Sequence, residues 1–174
     1  MRMRKRHNGN PQASLNWCAA IAAGVIAGCV ATIAQIVLWW LFLDAALPDI
    51  LYRDARLAAA IVLGAEALPP PAMFDVKIML VATLLHFALS ITYSAILANI
   101  LLYLNVKRSL LAGIFYGLAL YGINMYGFTL AFPWFSLTRD WITLAAHVVF
   151  GCAVAGGYTV LDNRARRRRS PLCD

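Results

Sequence analysis

Four long apolar stretches constrain the fold of this chain more than any other feature of its sequence. They cover residues 17–43, 76–104, 110–132 and 141–160. A helix needs roughly 20 apolar residues to cross about 30 Å of hydrocarbon. Because unpaired backbone groups are costly in lipid, each stretch must be helical. The sequence therefore predicts an all-α membrane protein with four transmembrane helices.

Composition indicates that little of the chain lies outside the membrane. Of the 174 residues, 62% are hydrophobic and 13% are charged, whereas soluble domains typically carry about 25% charged residues. The length leaves no room for a separate soluble domain beside four spans. We expect a basic N-terminus at 1–16, a transmembrane domain at 17–162 with a long outer loop at 44–75, and a basic tail at 163–174.

The distribution of Lys and Arg predicts the orientation. With the N-terminus inside, the inner segments carry 11 of these residues and the outer segments carry 4. Cytoplasmic loops are enriched in Lys and Arg, so both termini are predicted to be cytoplasmic. The same bias accounts for the net charge of +7. No basic sequence interleaved with aromatic residues indicates nucleic-acid binding, and the tail is expected to contact the lipid bilayer instead.

The outer loop contains its own helical segment. Residues 52–64 have good helix propensity but are too short to span the membrane. Prolines at 69–71 stop this segment, because proline removes a backbone donor. We predict a short helix that lies at the outer interface.

The spans read as two copies of one helical hairpin. In the first and third spans, a glycine is followed by a second glycine four residues on and by a carboxamide seven residues beyond that. In the second and fourth spans, a histidine is followed four residues on by a small residue. The matching residues are Gly24, Gly28 and Gln35 with Gly113, Gly117 and Asn124, and His86 and Ser90 with His147 and Gly151. This pattern predicts a tandem duplication with parallel repeats, with coincidence as the alternative because small residues are common in membrane helices. GxxxG spacing lets helix backbones approach closely, so the five glycines are predicted to pack helices together.

The same pattern places four polar side chains in one layer. At about 1.5 Å per residue, they lie roughly 10 to 15 Å below the outer boundary. Ser90 and Tyr93 share a helix face with one of the histidines, and no carboxylate or lysine is expected at that depth. The layer consists of Gln35, His86, Asn124 and His147.

Three interpretations of this layer stay open. The first is interhelical hydrogen bonding that holds the bundle together, which would give the protein a structural role. The second is a b-type haem with His86 and His147 as axial ligands. The third is a small polar cavity that opens outward for a solute or a proton, since histidine titrates near physiological pH. Transport by one copy of four helices would require a homo-oligomer, whereas a structural or stress-related role would act through a membrane partner protein.

Other chemistry has weaker support in the sequence. Two histidines without a carboxylate are too few ligands for a bare metal site. No nucleophile, base and acid form a set, so the chain is not predicted to be an enzyme.

Three features of the chain resemble those of the YagU-like bacterial inner-membrane proteins, a group of unknown function. They are the early stripe at Ala23, Gly24 and Gly28, the pair Arg53-Asp54 and the small-residue motifs after each histidine. The resemblance covers most of the chain. It implies a bacterial inner-membrane location and a stress-related or acid-response role through a partner, and it carries over no catalytic residues. Sequences of this kind also carry the label of sodium:proline symporter, but those transporters have many more spans with broken helices.

Overall fold

A computed structural model describes residues 14–43 and 47–169 of the protein. These residues contain five α-helices and no β-strand. Four of the helical segments are long and apolar enough to cross a membrane, which confirms the predicted all-α class with four spans. The helices are α1 (Trp17–Phe42), α2 (Leu47–Leu63), α3 (Val76–Leu101), α4 (Val106–Gly122) and α5 (Trp141–Arg169).

Short polar side chains define where the spans begin. Asn16, Asp75 and Asn105 are the N-cap residues of α1, α3 and α4, and each side-chain oxygen accepts from a backbone N–H three residues on. Asp140 does the same for Thr143 at the start of α5. These caps satisfy donors that the first helical turn leaves without partners, so the beginning of each of these helices has a local cause in the sequence.

The loop helix α2 is longer than predicted and is part of the bundle. It begins at Leu47, and it ends before Gly64, whose φ of 88° is readily reached only by glycine. Ala55 and Ala59 of α2 pack against Ile78 and Ala82 of α3 in one buried cluster. The helix therefore covers one side of α3 rather than resting apart from the spans.

The third span is not a regular α-helix throughout. After Gly122 the chain makes a π-helical turn over Ile123–Gly127 and a 3-10 turn over Phe128–Leu130. A π-turn widens the helix and frees backbone groups. Arg139 satisfies one of them, because its Nε donates to the carbonyl oxygen of Met125 at 2.6 Å. The loop before α5 thus supports the irregular end of the third span.

The last helix continues beyond the predicted end of its span at residue 160. It runs to Arg169, so the fourth span and the described part of the basic tail form one continuous helix. Arg166 Nε donates to Asp162 Oδ2 at 2.7 Å across one turn, and arginine and alanine favour helix. Asp162 also accepts from Asn16 Nδ2 at 3.2 Å, which ties this end of α5 to the start of α1.

The glycine faces pack inside one copy of the protein. Among the spans, α1 packs against α3 and α5, and α5 packs against α4. A Cβ atom on Gly24 would lie 2.9 Å from the Ile91 Cα of α3, and one on Gly113 would lie 2.6 Å from the Gly151 carbonyl oxygen of α5. Both GxxxG faces are therefore occupied within the bundle and are not free to join two copies.

The outward surfaces of the spans are apolar, as lipid contact requires. Ile33, Leu84 and Phe115 are 61%, 62% and 68% exposed on three different helices. A soluble protein rarely exposes so many large apolar side chains together. The bundle surface therefore agrees with an integral membrane protein.

Candidate functional site

The six polar residues singled out in the sequence surround one cavity. We call this the central cavity; it has a volume of about 180 Å³ and lies between α1, α3, α4 and α5. That volume holds on the order of six water molecules at about 30 Å³ each. Thr32 adds a seventh polar side chain, and the remaining lining is apolar. The predicted residues on its wall are Gln35, His86, Ser90, Tyr93, Asn124 and His147.

A chain of hydrogen bonds joins three helices along one wall of the central cavity. Tyr93 Oη donates to Asn124 Oδ1 at 2.9 Å, and Asn124 Nδ2 lies 3.1 Å from His147 Nε2. His147 Nδ1 lies 2.7 Å from the carbonyl oxygen of Thr143. A carbonyl oxygen only accepts, so Nδ1 carries a proton and Nε2 accepts from the Asn124 amide. Both ring nitrogens of His147 are therefore engaged.

The π-turn explains why Asn124 reaches these partners. Asn124 is the second residue of that turn, and π-turns often occur at functional sites. α3 and α4 make few direct contacts, so the bond from Tyr93 is one of the links between them. Tyr116 provides another, because its hydroxyl donates to the Tyr93 carbonyl oxygen at 2.8 Å.

The opposite wall has fewer side-chain hydrogen bonds, although the His86 ring also bonds to the Gly28 backbone. His86 is exposed to the central cavity, and its Nε2 lies 3.4 Å from Thr32 Oγ1. Among the described residues, Gln35 makes no side-chain hydrogen bond to His86. Gly28 gives these groups their space, since a Cβ there would lie 3.0 Å from His86 Nε2 and 2.9 Å from Ser90 Oγ. The two histidines therefore occupy different environments.

A second cavity adjoins the first through this less bonded wall. We call it the α2 cavity; it has a volume of about 420 Å³ and lies between α1, α2 and α3. Thr32, Gln35 and His86 line both cavities. These three side chains are the boundary between the two spaces.

Asp54 is a polar residue near the site that the sequence pattern did not predict as a site residue. It lines the α2 cavity, although no carboxylate was expected near the layer. That expectation considered depth along the spans alone, and Asp54 reaches the site because α2 folds back against α3. Arg53 Nη2 lies 2.8 Å from Asp54 Oδ1. Burial raises the pKa of the Asp54 carboxyl, with the Arg53 charge opposing that effect. The signal in the sequence was a charged pair inside an alanine-rich helical segment.

The arrangement does not suit a haem bound by both histidines. Ligation through His147 would break either the bond to Asn124 or the bond to Thr143. The central cavity is also smaller than the roughly 300 Å³ at which pockets for drug-sized ligands begin. Across residues 14–43 and 47–169, no three His, Cys, Asp or Glu side chains are grouped as a metal site.

Comparisons with family models, curated proteins and solved structures find no match to this chain. The resemblance to the YagU-like proteins therefore stays a prediction.

Proposed function

We propose that this protein binds a small polar solute within the membrane, in the central cavity, with His86 and Gln35 as the groups that meet it. The observation that carries this proposal is the shared wall of Thr32, Gln35 and His86 between the two cavities. A polar wall between two spaces suits the passage or recognition of a solute better than a purely structural hydrogen bond does. Ligand sites are typically concave and mostly apolar, with a few converging polar groups.

The bonding of the two carboxamide and histidine pairs, Asn124 with His147 and Gln35 with His86, supports this assignment. The amide of Asn124 bonds His147, whereas the corresponding Gln35 and His86 are not bonded to each other in the described chain. His86 is exposed and Gln35 is half-buried, and both line the two cavities. We infer that the pair of Asn124 and His147 holds the helices together and that the pair of Gln35 and His86 binds the solute.

A proton-responsive role is the second candidate. His86 faces both cavities, and imidazole is the side chain whose charge changes most readily near neutral pH. A proton would use the same wall as a solute. Loss of a pH response in His86→Gln, with solute binding unchanged, would select this candidate.

The proposed location is the bacterial inner membrane, with both termini in the cytoplasm and α2 on the outer side. The 11 to 4 distribution of basic residues supports this orientation. A partner protein or a second copy would bind elsewhere than on the glycine faces, which are occupied inside the bundle. A stress-related role through such a partner is compatible with solute binding.

We also propose that the two hairpins are related by tandem duplication. Gly28 lies against His86 in the first pair, and Gly117 lies against the His147 backbone in the second. These matching contacts support the proposal. An experimental structure whose hairpins superpose best in another register would contradict this proposal.

Cysteine accessibility tests whether solute reaches the central cavity. Ser90 lines that cavity but is only 4% exposed, whereas Ser94, one turn further along α3, is 0% exposed and bonds to the Ala20 carbonyl oxygen. With the native cysteines changed to alanine, Ser90→Cys should react with a small membrane-impermeant thiol reagent added from outside, and Ser94→Cys should not. Equal inertness of both variants would overturn solute access and leave the structural role.

A further inference from the structure

The α2 cavity has the dimensions of a small-molecule site. Its volume of about 420 Å³ falls in the range of roughly 300–1,000 Å³ that ligand pockets occupy. The walls are mainly apolar and come from α1, α2 and α3, with polar groups at the boundary shared with the central cavity. An occupant would therefore be mostly apolar, with a polar end.

A negative charge lies on the wall of this cavity. Among the described residues, Asp54 is the acidic side chain that lines it, and this side chain is 20% exposed. Asp140 adds further negative charge nearby, since it raises the pKa of Asp54. Within residues 14–43 and 47–169, no Lys or Arg lines this cavity. The Asp54 carboxylate, whose charge Arg53 balances from outside the lining, is therefore the group that a cation in the cavity would meet.

Arg53 is the cation that Asp54 holds in this structure. The two side chains form an ion pair at 2.8 Å, and the Arg53 side chain is 37% exposed. Pairs between partly exposed side chains contribute little stability, typically about 0–1 kcal/mol. A bound cation can therefore replace Arg53 at the carboxylate while the guanidinium turns towards water.

Aromatic side chains complete the lining. Trp39, which is 3% exposed, and Phe87 both line the α2 cavity. Aromatic rings attract organic cations through their faces and pack against apolar groups. A carboxylate, two aromatic rings and an apolar wall together match an ammonium group carrying a short hydrocarbon chain.

We propose that the α2 cavity binds a small alkylammonium cation, with its ammonium at Asp54 and its hydrocarbon chain along the apolar wall near Trp39. This inference rests on the proposed function and names its solute class. The cation reaches Thr32, Gln35 and His86 from the α2 cavity, because these residues line both spaces. Arg53 acts as an internal competitor for the same carboxylate.

The test measures binding of butylammonium to the full-length protein in phosphatidylcholine nanodiscs by titration calorimetry. Butanol and butyrate serve as neutral and anionic probes of similar size. We expect butylammonium to bind the native protein at least about tenfold more tightly than either probe, a difference of about 1.4 kcal/mol. This comparison uses the native chain, so it does not depend on the folding of a variant.

Three substitutions on one helix then locate the charge. Asp54→Asn should weaken butylammonium binding about tenfold, and Asp49→Asn, at an exposed position of α2, should leave it unchanged. Arg53→Gln removes the internal competitor and should strengthen binding severalfold. Butylammonium that binds Asp54→Asn as tightly as the native protein, or a native protein that binds butanol equally well, would identify the cavity as an apolar crevice and overturn the proposal.

The outcomes also separate this inference from the proposed function. Reaction of Ser90→Cys without any preference for butylammonium would leave a solute site in the central cavity and remove only the ammonium class. An inert Ser90→Cys together with binding at Asp54 would place the ligand in the α2 cavity alone.

Discussion

The Asn124 side chain connects two helices through its two ends, since its oxygen accepts from Tyr93 and its nitrogen donates to His147. Each bond constrains the orientation of the amide, so the second bond is easier to form once the first is present. This is the physical basis on which a single carboxamide holds α3, α4 and α5 together.

A double-mutant cycle measures that link. Tyr93→Phe and Asn124→Ala should each destabilise the bundle, with a coupling energy of about 0.6 and at most about 1.7 kcal/mol, the range found for hydrogen bonds in membrane bundles. The free energy of unfolding in mixed micelles is the measured quantity. Tyr103→Phe is the control, because Tyr103 is 81% exposed in the turn after α3, and it should show no coupling. Strict additivity of the first pair would contradict the link.

Asp54 predicts a pH dependence of stability. Burial raises its pKa above the ordinary value of 3.8 in the folded protein, with Arg53 lowering it and Asp140 raising it further. The folded state therefore binds the proton more tightly than the unfolded state does. This contribution to stability is fully present below pH 3.8 and is lost as the pH rises through the folded pKa.

Melting curves of the native protein and Asp54→Asn, recorded from below pH 3.8 to neutral pH, test whether stability falls as the pH rises. We expect Asp54→Asn to gain melting temperature relative to the native protein as the pH rises towards neutral. A constant difference between the two proteins at every pH would show that Asp54 titrates as it does in the unfolded chain.

Among the helices, the contact between α4 and α5 depends on glycine more directly than any other. A Cβ on Gly151 would meet the Gly113 carbonyl group, and one on Gly117 would meet the His147 carbonyl oxygen. Carbonyl groups of two helix backbones have no rotamer through which they can yield. The helices would have to separate, and the central cavity would change with them.

Gly151→Ala should therefore destabilise the bundle by about 1–3 kcal/mol, the usual cost of overpacking. Gly122→Ala is the matched control, since a Cβ there meets nothing within 4 Å and alanine is the better helix former. Its stability should equal or slightly exceed that of the native protein. Unfolding in mixed micelles compares the two, and equal effects would refute the close approach of α4 and α5.

For the bundle as a whole, orientation decides which side the α2 cavity serves. Glu66 and Arg164 are exposed at opposite ends of the spans. In intact cells, and without the native cysteines, Glu66→Cys should react with an impermeant thiol reagent and Arg164→Cys should react only after lysis. Labelling of Arg164→Cys in intact cells would reverse the proposed topology.

The class of the fold was predictable because hydrophobic length is a local property. Each span needs its own run of apolar residues to cross the lipid, whatever its neighbours do. Helix starts have local causes too, since a cap such as Asp75 acts within one turn, but α4 begins at Val106 rather than at the predicted residue 110. The glycine and histidine spacing predicted a shared layer for a similar reason, because helical periodicity places such residues on one face.

The hydrogen-bond partners and the second cavity did not follow from the same rules. Whether Asn124 meets His147 depends on a π-turn that Arg139 supports from a later loop. Whether Asp54 approaches Gln35 and His86 depends on how α2 packs against α3. Both features arise from contacts between segments far apart in the chain. Composition and hydrophobic length in the sequence establish an all-α membrane protein with four spans, while long-range packing determines which of the predicted polar residues are bonded to each other and which face a cavity.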